Sequence, residues 1–556
     1  RQRTTFYYGI ELFTNQNFSE AAKMLEKSIA SKGDDHKMRA MTSYWLAEVY
    51  NRQNKHSAAL SSYDQFLTTP GAYNTKEYRL ANYNIGYIYF NKKDYNNAIH
   101  WLKLFVERPI DDKRFEIDAY LRIGDSYFAQ KQYSYSVENY EKAIVASGET
   151  SEYAHFQKGI SYGLIDKQEE KIETLNYFYE NNRSIYADVA IYEIAKAYTR
   201  MGNNEKAIES YQYIVNSFPN SLLNVKSQLQ SGLLAFNAGE NQRAVNYLKR
   251  VIENYPTSPE ANEAAATLKN VYIEMNDIDS YFSYAKTINR DVSAIEKDSL
   301  TFITAEKAYL SNDYDKAISM LTDYSKKYPN GKFLSNSEFY RGMCALKIKD
   351  TTMAIAAFTN VAELPRNIYS LLAVTELSRL SYRTGDYVLA IKSYEKLIEI
   401  ADAEELLAEG HIGIMRCNYK LNNWDKVPEA VENVLKLPGV SQEVQIEAIY
   451  SRAKALYAVN DYGKALADFK ELQANTRTPE GAEARYMVAQ ILHKTGKSDS
   501  AEKAILEYIK VSTPHYKWLG ESFLLLATIL KDKGDNFQAK AYLQSLLDSY
   551  PDDDDG

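Results

Sequence analysis

The chain has few of the residues that disulfide frameworks, zinc sites and membrane spans require. Its 556 residues include only two cysteines, Cys344 and Cys417, which are too few for a disulfide framework or a tetrahedral zinc site. The longest apolar run, Phe523 to Leu530, covers about eight residues, whereas a membrane-crossing helix needs roughly 20. The sequence therefore predicts no zinc site and no transmembrane segment.

The chain also lacks a basic excess and a linker between domains. Its 66 Lys and Arg residues stand against 74 Asp and Glu residues, which gives a formal net charge of -8. Because nucleic-acid-binding proteins usually carry a strong basic excess, we expect no nucleic-acid partner. Only 12 Pro and 23 Gly residues are present and they form no linker-like run, so the sequence predicts one continuous architecture over residues 1–556.

A repeat runs along the whole sequence. Its pattern is a small residue, a bulky residue three positions later, an Asp/Asn–aromatic pair and then an anchor residue, which is usually alanine. Fifteen anchors lie 35 to 39 residues apart. They are Ala21, Ala59, Ala98, Ser136, Lys171, Ala207, Ala244, Tyr281, Ala317, Ala354, Ala390, Val427, Ala465, Ala501 and Ala539.

Two further positions keep a constant distance from the anchor. Four residues after it, every repeat has an apolar or aromatic residue, and twelve residues before it most repeats have a small one. The small residue is Gly at 9, 86, 124, 159, 232 and 342, and Ala at 47, 195, 305, 453, 489 and 527. Helical apolar spacing on both sides of a polar break predicts a helix, a turn and a second helix in each repeat. Since one helix pair cannot bury its apolar face alone, successive pairs must stack.

This pattern resembles the tetratricopeptide repeat over roughly residues 3 to 551. The small residue, the bulky residue, the alanine, the aromatic residue and a proline twelve positions after the anchor follow that family's order; the prolines are Pro219, Pro256, Pro329 and Pro551. The resemblance implies an all-α fold, a right-handed superhelical solenoid of about 15 helix–turn–helix repeats. Because the chain begins almost inside a first helix and ends close to Pro551 without a capping helix, we expect a segment of a longer array.

Three repeats match the pattern most weakly. They are anchored at Lys171, Tyr281 and Val427 and lie near residues 150–186, 260–290 and 408–437. These repeats either mark bends in the solenoid or are degenerate copies.

The repeat accounts for much of the tyrosine content, which is 48 residues. Six tyrosines take the bulky position, where we expect core packing with the hydroxyl at the edge. They are Tyr50, Tyr89, Tyr127, Tyr162, Tyr198 and Tyr272. Cys344 and Cys417 lie two repeats apart, about 20 Å at solenoid spacing, so we expect two buried free thiols and no bridge.

No pattern of catalytic chemistry is present. No two of the seven His residues have the i, i+4 spacing of a helical metal pair, and phosphate loops, dinucleotide glycine fingerprints and nucleophile elbows are missing. The acidic run Asp552–Asp555 is interpreted as a solvated tail. The sequence therefore predicts a protein that is not an enzyme and that holds no metal and no cofactor.

The family resemblance implies where a partner would bind. In that family the first helices line the inner wall, and ligand contacts lie one, four and five residues after the small residue and three before it. In the N-terminal half these positions are mainly aromatic, followed by two cations. They are Tyr44, Tyr83, Tyr87, Phe90, Phe128, Phe156, Tyr192, Lys196 and Arg200. In the C-terminal half they hold cations and interleaved tyrosines. These are Arg379, Arg383, Arg416, Lys420, Lys454, Lys494 and Lys531, with Tyr382, Tyr419, Tyr450, Tyr457 and Tyr486.

Cations along one wall of an acidic protein concentrate positive potential there. Arginine matches carboxylates in a bidentate manner, and tyrosine adds rigid contact area. We therefore expect a scaffold whose inner wall holds an acidic or extended segment of a partner protein. The alternative is that these charges pair with acidic residues on adjacent helices.

Short joints between repeats suggest a cellular location. The segment Asn254–Glu263 and its counterparts Ser217–Ser221 and Lys327–Gly331 resemble the inter-repeat phrase of bacterial envelope repeat proteins. This resemblance implies a periplasmic or outer-membrane-associated protein of a Gram-negative bacterium, with the cytoplasm as the alternative.

Two further functions stay open at the level of the sequence. One is an accessory subunit of an outer-membrane assembly or secretion machine, docked by its outer surface. The other is the helical superstructure of a cell-wall enzyme whose catalytic domain lies outside this segment.

Overall fold

The computed structural model describes residues 1–33 and 35–550, and within these ranges the regular secondary structure is α-helical, with no β-strand. Pro551 and the acidic run Asp552–Asp555 lie outside the described residues. Packing divides the chain into two compact units, Arg1–Met275 (unit 1) and Asn276–Gly556 (unit 2). None of the described helices is both long enough and apolar enough to span a bilayer.

The helices alternate between first and second helices of successive repeats. Unit 1 contains α1 (Gln2–Thr14), α2 (Phe18–Ile29), α3 (His36–Arg52), α4 (His56–Thr68), α5 (Lys76–Asn91), α6 (Tyr95–Val106), α7 (Lys113–Ala129), α8 (Tyr133–Ala146), α9 (Glu152–Leu164), α10 (Gln168–Leu175), α11 (Tyr177–Glu180), α12 (Ala187–Arg200), α13 (Asn204–Ser217), α14 (Asn224–Asn237), α15 (Asn241–Asn254) and α16 (Pro259–Glu274).

Unit 2 continues the alternation. It contains α17 (Ile278–Thr287), α18 (Ala294–Leu310), α19 (Tyr314–Lys327), α20 (Leu334–Lys347), α21 (Thr351–Glu363), α22 (Ser370–Thr384), α23 (Tyr387–Ile400), α24 (Glu404–Lys420), α25 (Val427–Leu435), α26 (Gln442–Ala458), α27 (Tyr462–Leu472), α28 (Pro479–Lys494), α29 (Ser498–Ile509), α30 (Tyr516–Asp532) and α31 (Asn536–Ser549). The predicted all-α helix–turn–helix repeat architecture is confirmed.

The turn between the two helices has the same backbone in every repeat. The residue five positions before each anchor has a positive φ, for example +75° at Gly202, +60° at Asn312 and +60° at Lys131. The next residue is the Asp or Asn of the repeat pattern in most repeats, and its side chain caps the second helix. Asp350, for example, accepts a hydrogen bond of 2.9 Å from the backbone N–H of Met353. Helix capping thus explains the Asp or Asn of the repeat pattern, and turn geometry explains the positive φ of the residue before it.

The small residue lies where the two helices of a repeat cross. A Cβ atom on Gly124 would stand 2.7 Å from Cε1 of Tyr140, and one on Gly342 would stand 2.5 Å from Cε1 of Phe358. All fifteen anchors are buried, and so is the residue four positions after the anchor in every repeat except the last, where Leu543 is 37% exposed. The predicted close approach of the two helices is confirmed at these glycines.

The three repeats with unusual anchors have short second helices. Eight-residue α10 is followed by four-residue α11, α17 has ten residues and α25 has nine. The Lys171 anchor is buried, and its ammonium group reaches Glu193 of α12 at 2.6 Å. A buried lysine is tolerated at this anchor because a carboxylate of the next repeat neutralises it.

Cys344 and Cys417 are buried free thiols, as predicted. The tyrosines of the bulky position differ from the prediction, because only Tyr272 is buried and the other five are half-buried. The tyrosines buried most completely come instead from second helices, as Tyr63 and Tyr140 do, because the small residue of the first helix leaves room for their rings.

Within each unit the first helices approach one another closely. Successive first helices such as α3 and α5, or α26 and α28, are in contact. Across the described residues, successive second helices do not pack against each other to the same extent. The first-helix face is therefore the inner face of each unit, and gaps open between second helices on the other side.

Candidate partner-binding surfaces

The predicted aromatic wall of unit 1 is largely occupied by packing between helices. Tyr44 is 5% exposed and lies edge-on to Phe66, with ring centroids 5.4 Å apart. Tyr83 contacts Phe105 and Phe115 at 5.3 and 5.1 Å, and its hydroxyl donates to Asp118 at 2.6 Å. These rings stabilise the stacking of repeats rather than standing free.

The other predicted aromatic residues of unit 1 are half-buried and in contact with neighbouring side chains. Phe156 stacks on Tyr186 with centroids 5.1 Å apart, and Tyr192 lies edge-on to Tyr211 at 5.3 Å. The remaining contacts are those of Tyr87 with Tyr83, of Phe90 with the guanidinium of Arg122, and of Phe128 with Tyr133.

Half-buried carboxylates lie among these rings, and sequence reasoning did not single them out. Asp125 accepts hydrogen bonds from the hydroxyls of Tyr140 and Tyr153 at 2.9 and 2.8 Å and from Arg122 at 2.7 Å. Glu48 stands at the equivalent position of its own repeat and accepts from Tyr63 in the same way. Burial raises the pKa of both carboxyl groups.

The two cations predicted in unit 1 are paired. The ammonium group of Lys196 lies 2.7 Å from Glu193, and the guanidinium of Arg200 lies 3.1 Å from Asp166. These two predicted cations are therefore neutralised from within the protein.

Three cations of unit 2 form a ladder between successive first helices. Arg379 donates two hydrogen bonds of 2.7 Å to Glu409, and Arg416 donates two of 2.7 Å to Glu447. Lys454 reaches Glu483 at 2.5 Å. Each cation stands one residue after the small position, and each glutamate stands on the next first helix. For these three residues the geometry is that of the alternative interpretation, in which the charges pair with adjacent helices.

Four other predicted cations of unit 2 are not paired. They occupy the last turns of α22, α24, α28 and α30 and are exposed, and none has an ion-pair partner within the described part of the chain. We call them the free cation row; they are Arg383, Lys420, Lys494 and Lys531. The ammonium group of Lys494 lies 5.0 Å from the ring centroid of Tyr457, which is a cation–π arrangement.

The predicted tyrosines of unit 2 are half-buried beside these cations. Tyr382 lies edge-on to Tyr387 at 5.6 Å, and Tyr419 lies edge-on to Trp424 at 5.5 Å. The Tyr450 hydroxyl donates to Glu483 at 2.5 Å.

Two hydrogen bonds and one ring contact link the first helices α26, α28 and α30. Tyr457 donates to Oε1 of Gln490 at 3.0 Å, and Nε2 of Gln490 donates to the hydroxyl of Tyr486 at 2.9 Å. Tyr486 stacks on Trp518 with centroids 5.7 Å apart. Gln490 and Trp518 were not predicted: Gln490 occupies the contact position directly after the small residue Ala489 but is neither a cation nor an aromatic residue, and Trp518 lies outside the contact positions.

Models of the tetratricopeptide repeat match seven segments of the chain. The segments are residues 9–75, 81–108, 118–146, 189–221, 226–258, 450–516 and 521–553. Together they cover slightly more than half of the chain. No curated protein matches it.

Several solved structures have a similar arrangement of helices. One is the structure of Naa15/Naa10 bound to HypK-THB, with 11% identity over 99% of this chain and 95% of that chain and a TM-score of 0.41. Another is the C-terminal part of a TPR repeat-containing protein from Cytophaga hutchinsonii, with 18% identity, coverage of 47% and 98%, and a TM-score of 0.37. A third is the APC/C hetero-tetramer Cut9–Hcn1, with 15% identity, coverage of 88% and 96%, and a TM-score of 0.21. At these TM-scores none of the three bears on function.

Proposed function

Because the chain belongs to the tetratricopeptide repeat family, whose members are generally scaffolds that bind other proteins, we propose a specific binding role for it. It is a non-catalytic scaffold that binds an acidic, extended segment of a partner protein along the first-helix face of unit 2. The free cation row carries this proposal, since it offers exposed positive charge on four first helices of one face.

The ladder and the free cation row have separate tasks in this proposal. The ladder fixes neighbouring first helices in register, because each of its ion pairs joins one helix to the next. The free cation row meets the carboxylates of the partner, and the half-buried tyrosines beside it supply rigid contact area. A partner segment that runs across the first helices contacts one cation after another.

Reversal of charge in the free cation row tests the proposal. The triple variant Arg383→Glu/Lys420→Glu/Lys494→Glu is compared with wild type in pull-downs from native-host extracts, with partners identified by mass spectrometry. We expect the partners to be lost and the cooperative helical melt to be kept. The wild-type interaction should also weaken with salt, because exposed charges are screened.

A matched control separates this role from a structural one. Lysines in the last turn of a helix also stabilise the helix dipole, typically by about 0.3–1 kcal/mol each. The triple variant Lys392→Glu/Lys470→Glu/Lys503→Glu reverses three exposed charges on the second helices α23, α27 and α29 and so matches the change in net charge, while the helical melt of the first variant reports any loss of dipole stabilisation. If both triple variants lose the partners, or neither does, the free cation row is not the binding site.

We further propose that the protein works in the cell envelope of a Gram-negative bacterium. The joint at Asn254–Glu263 supports this through its resemblance to envelope repeat proteins. In that joint the Tyr255 hydroxyl donates to Asn224 at 3.0 Å, and Ser258 caps α16 through the N–H of Ala261 at 3.1 Å. A β-lactamase fusion to the full-length protein should protect cells from ampicillin, whereas a fusion that gives no protection and fractionates with the cytoplasm would contradict this location.

A further inference from the structure

The irregular repeat anchored at Lys171 contains a cavity that is separate from the surfaces described above. Its second helix is interrupted, because α10 ends at Leu175 and α11 begins at Tyr177 after a single residue. The Tyr177 ring stacks on His155 of α9, with centroids 4.1 Å apart and an interplanar angle of 12°. Both rings line a cavity of about 430 Å³, together with residues of α8 and α10. Cavities of this size are typical of sites for small ligands.

The charge around the cavity is negative. Its lining contains five glutamates and one lysine, Lys158, which is paired with Glu141. Glu170 is also neutralised, since Lys167 lies 3.3 Å from it. Five carboxylates against two ammonium groups leave three negative charges, and these glutamates are exposed without a lysine or arginine partner in the described ranges. They are Glu149 between α8 and α9, Glu173 on α10 and Glu180 on α11.

A buried histidine lines the same cavity with a free hydrogen-bond acceptor. His155 is 8% exposed, and its Nδ1 lies 2.9 Å from the carbonyl oxygen of Ser151. Because a carbonyl oxygen can only accept, Nδ1 carries the proton, and Nε2 of the neutral ring is an acceptor. Nε2 has no hydrogen bond among the described residues, and Oε2 of Glu149 faces it at 3.7 Å. Two acceptors that face each other repel, and a cationic donor that bonds to both removes this repulsion.

The arrangement of these groups selects the kind of cation. In the part of the chain that the structure describes, no three His, Cys, Asp or Glu side chains lie close enough together to hold one metal ion. The three unpaired carboxylates come from different elements, so a cation that matches them must carry several positive groups along a chain. Tyr162 and Tyr177 also line the cavity, and their rings can pack against methylene groups and attract ammonium groups. A linear polyamine has all of these properties.

We propose that this cavity binds a linear polyamine. A terminal ammonium group donates to Nε2 of His155 and to the carboxylate of Glu149, and the methylene chain passes the ring of Tyr177. The other amino groups pair with Glu173 and Glu180. The interruption of the second helix serves this site, because it places the α11 ring against α9. The cavity belongs to unit 1 and has the charge opposite to that of the free cation row, so the two proposals are tested separately.

Isothermal titration calorimetry of the full chain with spermidine tests the proposal. We expect saturable binding at one site. Nα-acetyl-lysinamide carries a single ammonium group and should bind about tenfold more weakly or worse, because it leaves the other carboxylates unpaired. Binding of the lysinamide as tight as that of spermidine would make a lysine side chain of a partner protein the occupant, against the proposal. A titration without saturable spermidine binding would overturn it.

Substitutions in the cavity identify the groups that bind. Glu149→Gln/Glu173→Gln/Glu180→Gln should weaken spermidine binding by about tenfold or more, since charged partners are lost while the side-chain shapes stay. His155→Phe keeps a ring against Tyr177 but removes the acceptor, and it should also weaken binding by about tenfold. Unchanged affinity in either variant would contradict the proposed contacts.

A matched control separates this site from general attraction to an acidic protein. Asp64→Asn/Glu253→Gln/Glu263→Gln removes three exposed carboxylates from α4, α15 and α16 of the same unit and should leave affinity unchanged. Equal weakening by both triple variants would show non-specific attraction and refute the site.

Hydrogen exchange locates the polyamine without relying on a variant. Spermidine should increase protection of α9, α10 and α11 in the wild-type chain, because a ligand stabilises the folded state to which it binds. The cavity triple variant should match the protection of the free wild type and show no increase with spermidine. Increased protection only in other helices would place the polyamine elsewhere and overturn the proposal.

Discussion

The crossing of α7 and α8 gives a quantitative test of why the repeat needs a small residue. Replacing Gly124 by alanine would put a Cβ 2.7 Å from Cε1 of Tyr140, a ring that is fully buried and bonded to Asp125. Alanine favours the helix by about 1 kcal/mol. Overpacking costs about 1–3 kcal/mol, and weakening a hydrogen bond to a carboxylate costs up to about 1.5–3 kcal/mol more. These terms sum to a net loss between about 0 and 5 kcal/mol, and we expect a value near the middle of that range, about 2 kcal/mol.

Hydrogen exchange measured by mass spectrometry is the suitable assay, because repeat arrays often unfold in parts. Gly124→Ala should lower the free energy of local opening in α7 and α8 by that amount. Gly463→Ala is the control, since the only side-chain or backbone atom near its added Cβ lies at 3.8 Å, and it should leave α27 unchanged or more protected. Unchanged or increased protection of α7 and α8 in Gly124→Ala would refute the crossing argument.

Three further predictions follow from single residues. Lys131→Gly should increase protection of α7 and α8 by about 0.5–1 kcal/mol, because Lys131 has a φ of +60° in a turn that glycine adopts without strain; a decrease would contradict this. Burial raises the pKa of Glu48, so the folded state holds that proton more tightly than the unfolded state. The contribution of Glu48 to the free energy of unfolding therefore falls as the pH rises above the pKa of an unfolded glutamate, about 4.3. Glu48→Gln should therefore stabilise unit 1 in urea titrations at neutral pH but not at pH below 4. Equal effects at both pH values would contradict this. Burial raises the pKa of the Cys417 thiol to about 12, so a disulfide reagent should modify it slowly at neutral pH until urea unfolds unit 2, and fast labelling of the native protein would be the contrary result.

The repeat could be predicted from the sequence because the packing of helix pairs requires particular residue types at regular positions. The buried anchors and the glycines at the crossings recur at nearly fixed distances, and the capping Asp or Asn marks each turn. The left-handed turn residue was not predicted, because Lys131 and Lys349 take that conformation without the glycine or asparagine that usually signals it. For short second helices such as α25, the only sequence signal is that the anchor is not alanine.

The candidate surfaces could be predicted only in part. The contact positions of the family mark Arg416 and Lys420 alike, yet one is held by Glu447 and the other is free. That difference depends on which carboxylate the next first helix places opposite, and this requires the stacking geometry.

A photo-cross-linking experiment tests the central claim most directly. A photoreactive amino acid replaces Tyr419, which lies between Arg416 and Lys420 on the first-helix face, or Lys470, which is exposed on second helix α27. After irradiation in the native host, mass spectrometry identifies the cross-linked peptides. The proposed scaffold predicts an acidic partner segment attached at position 419 and none at position 470. Capture at position 470 alone, or capture of basic segments at position 419, would contradict binding of an acidic segment along this face.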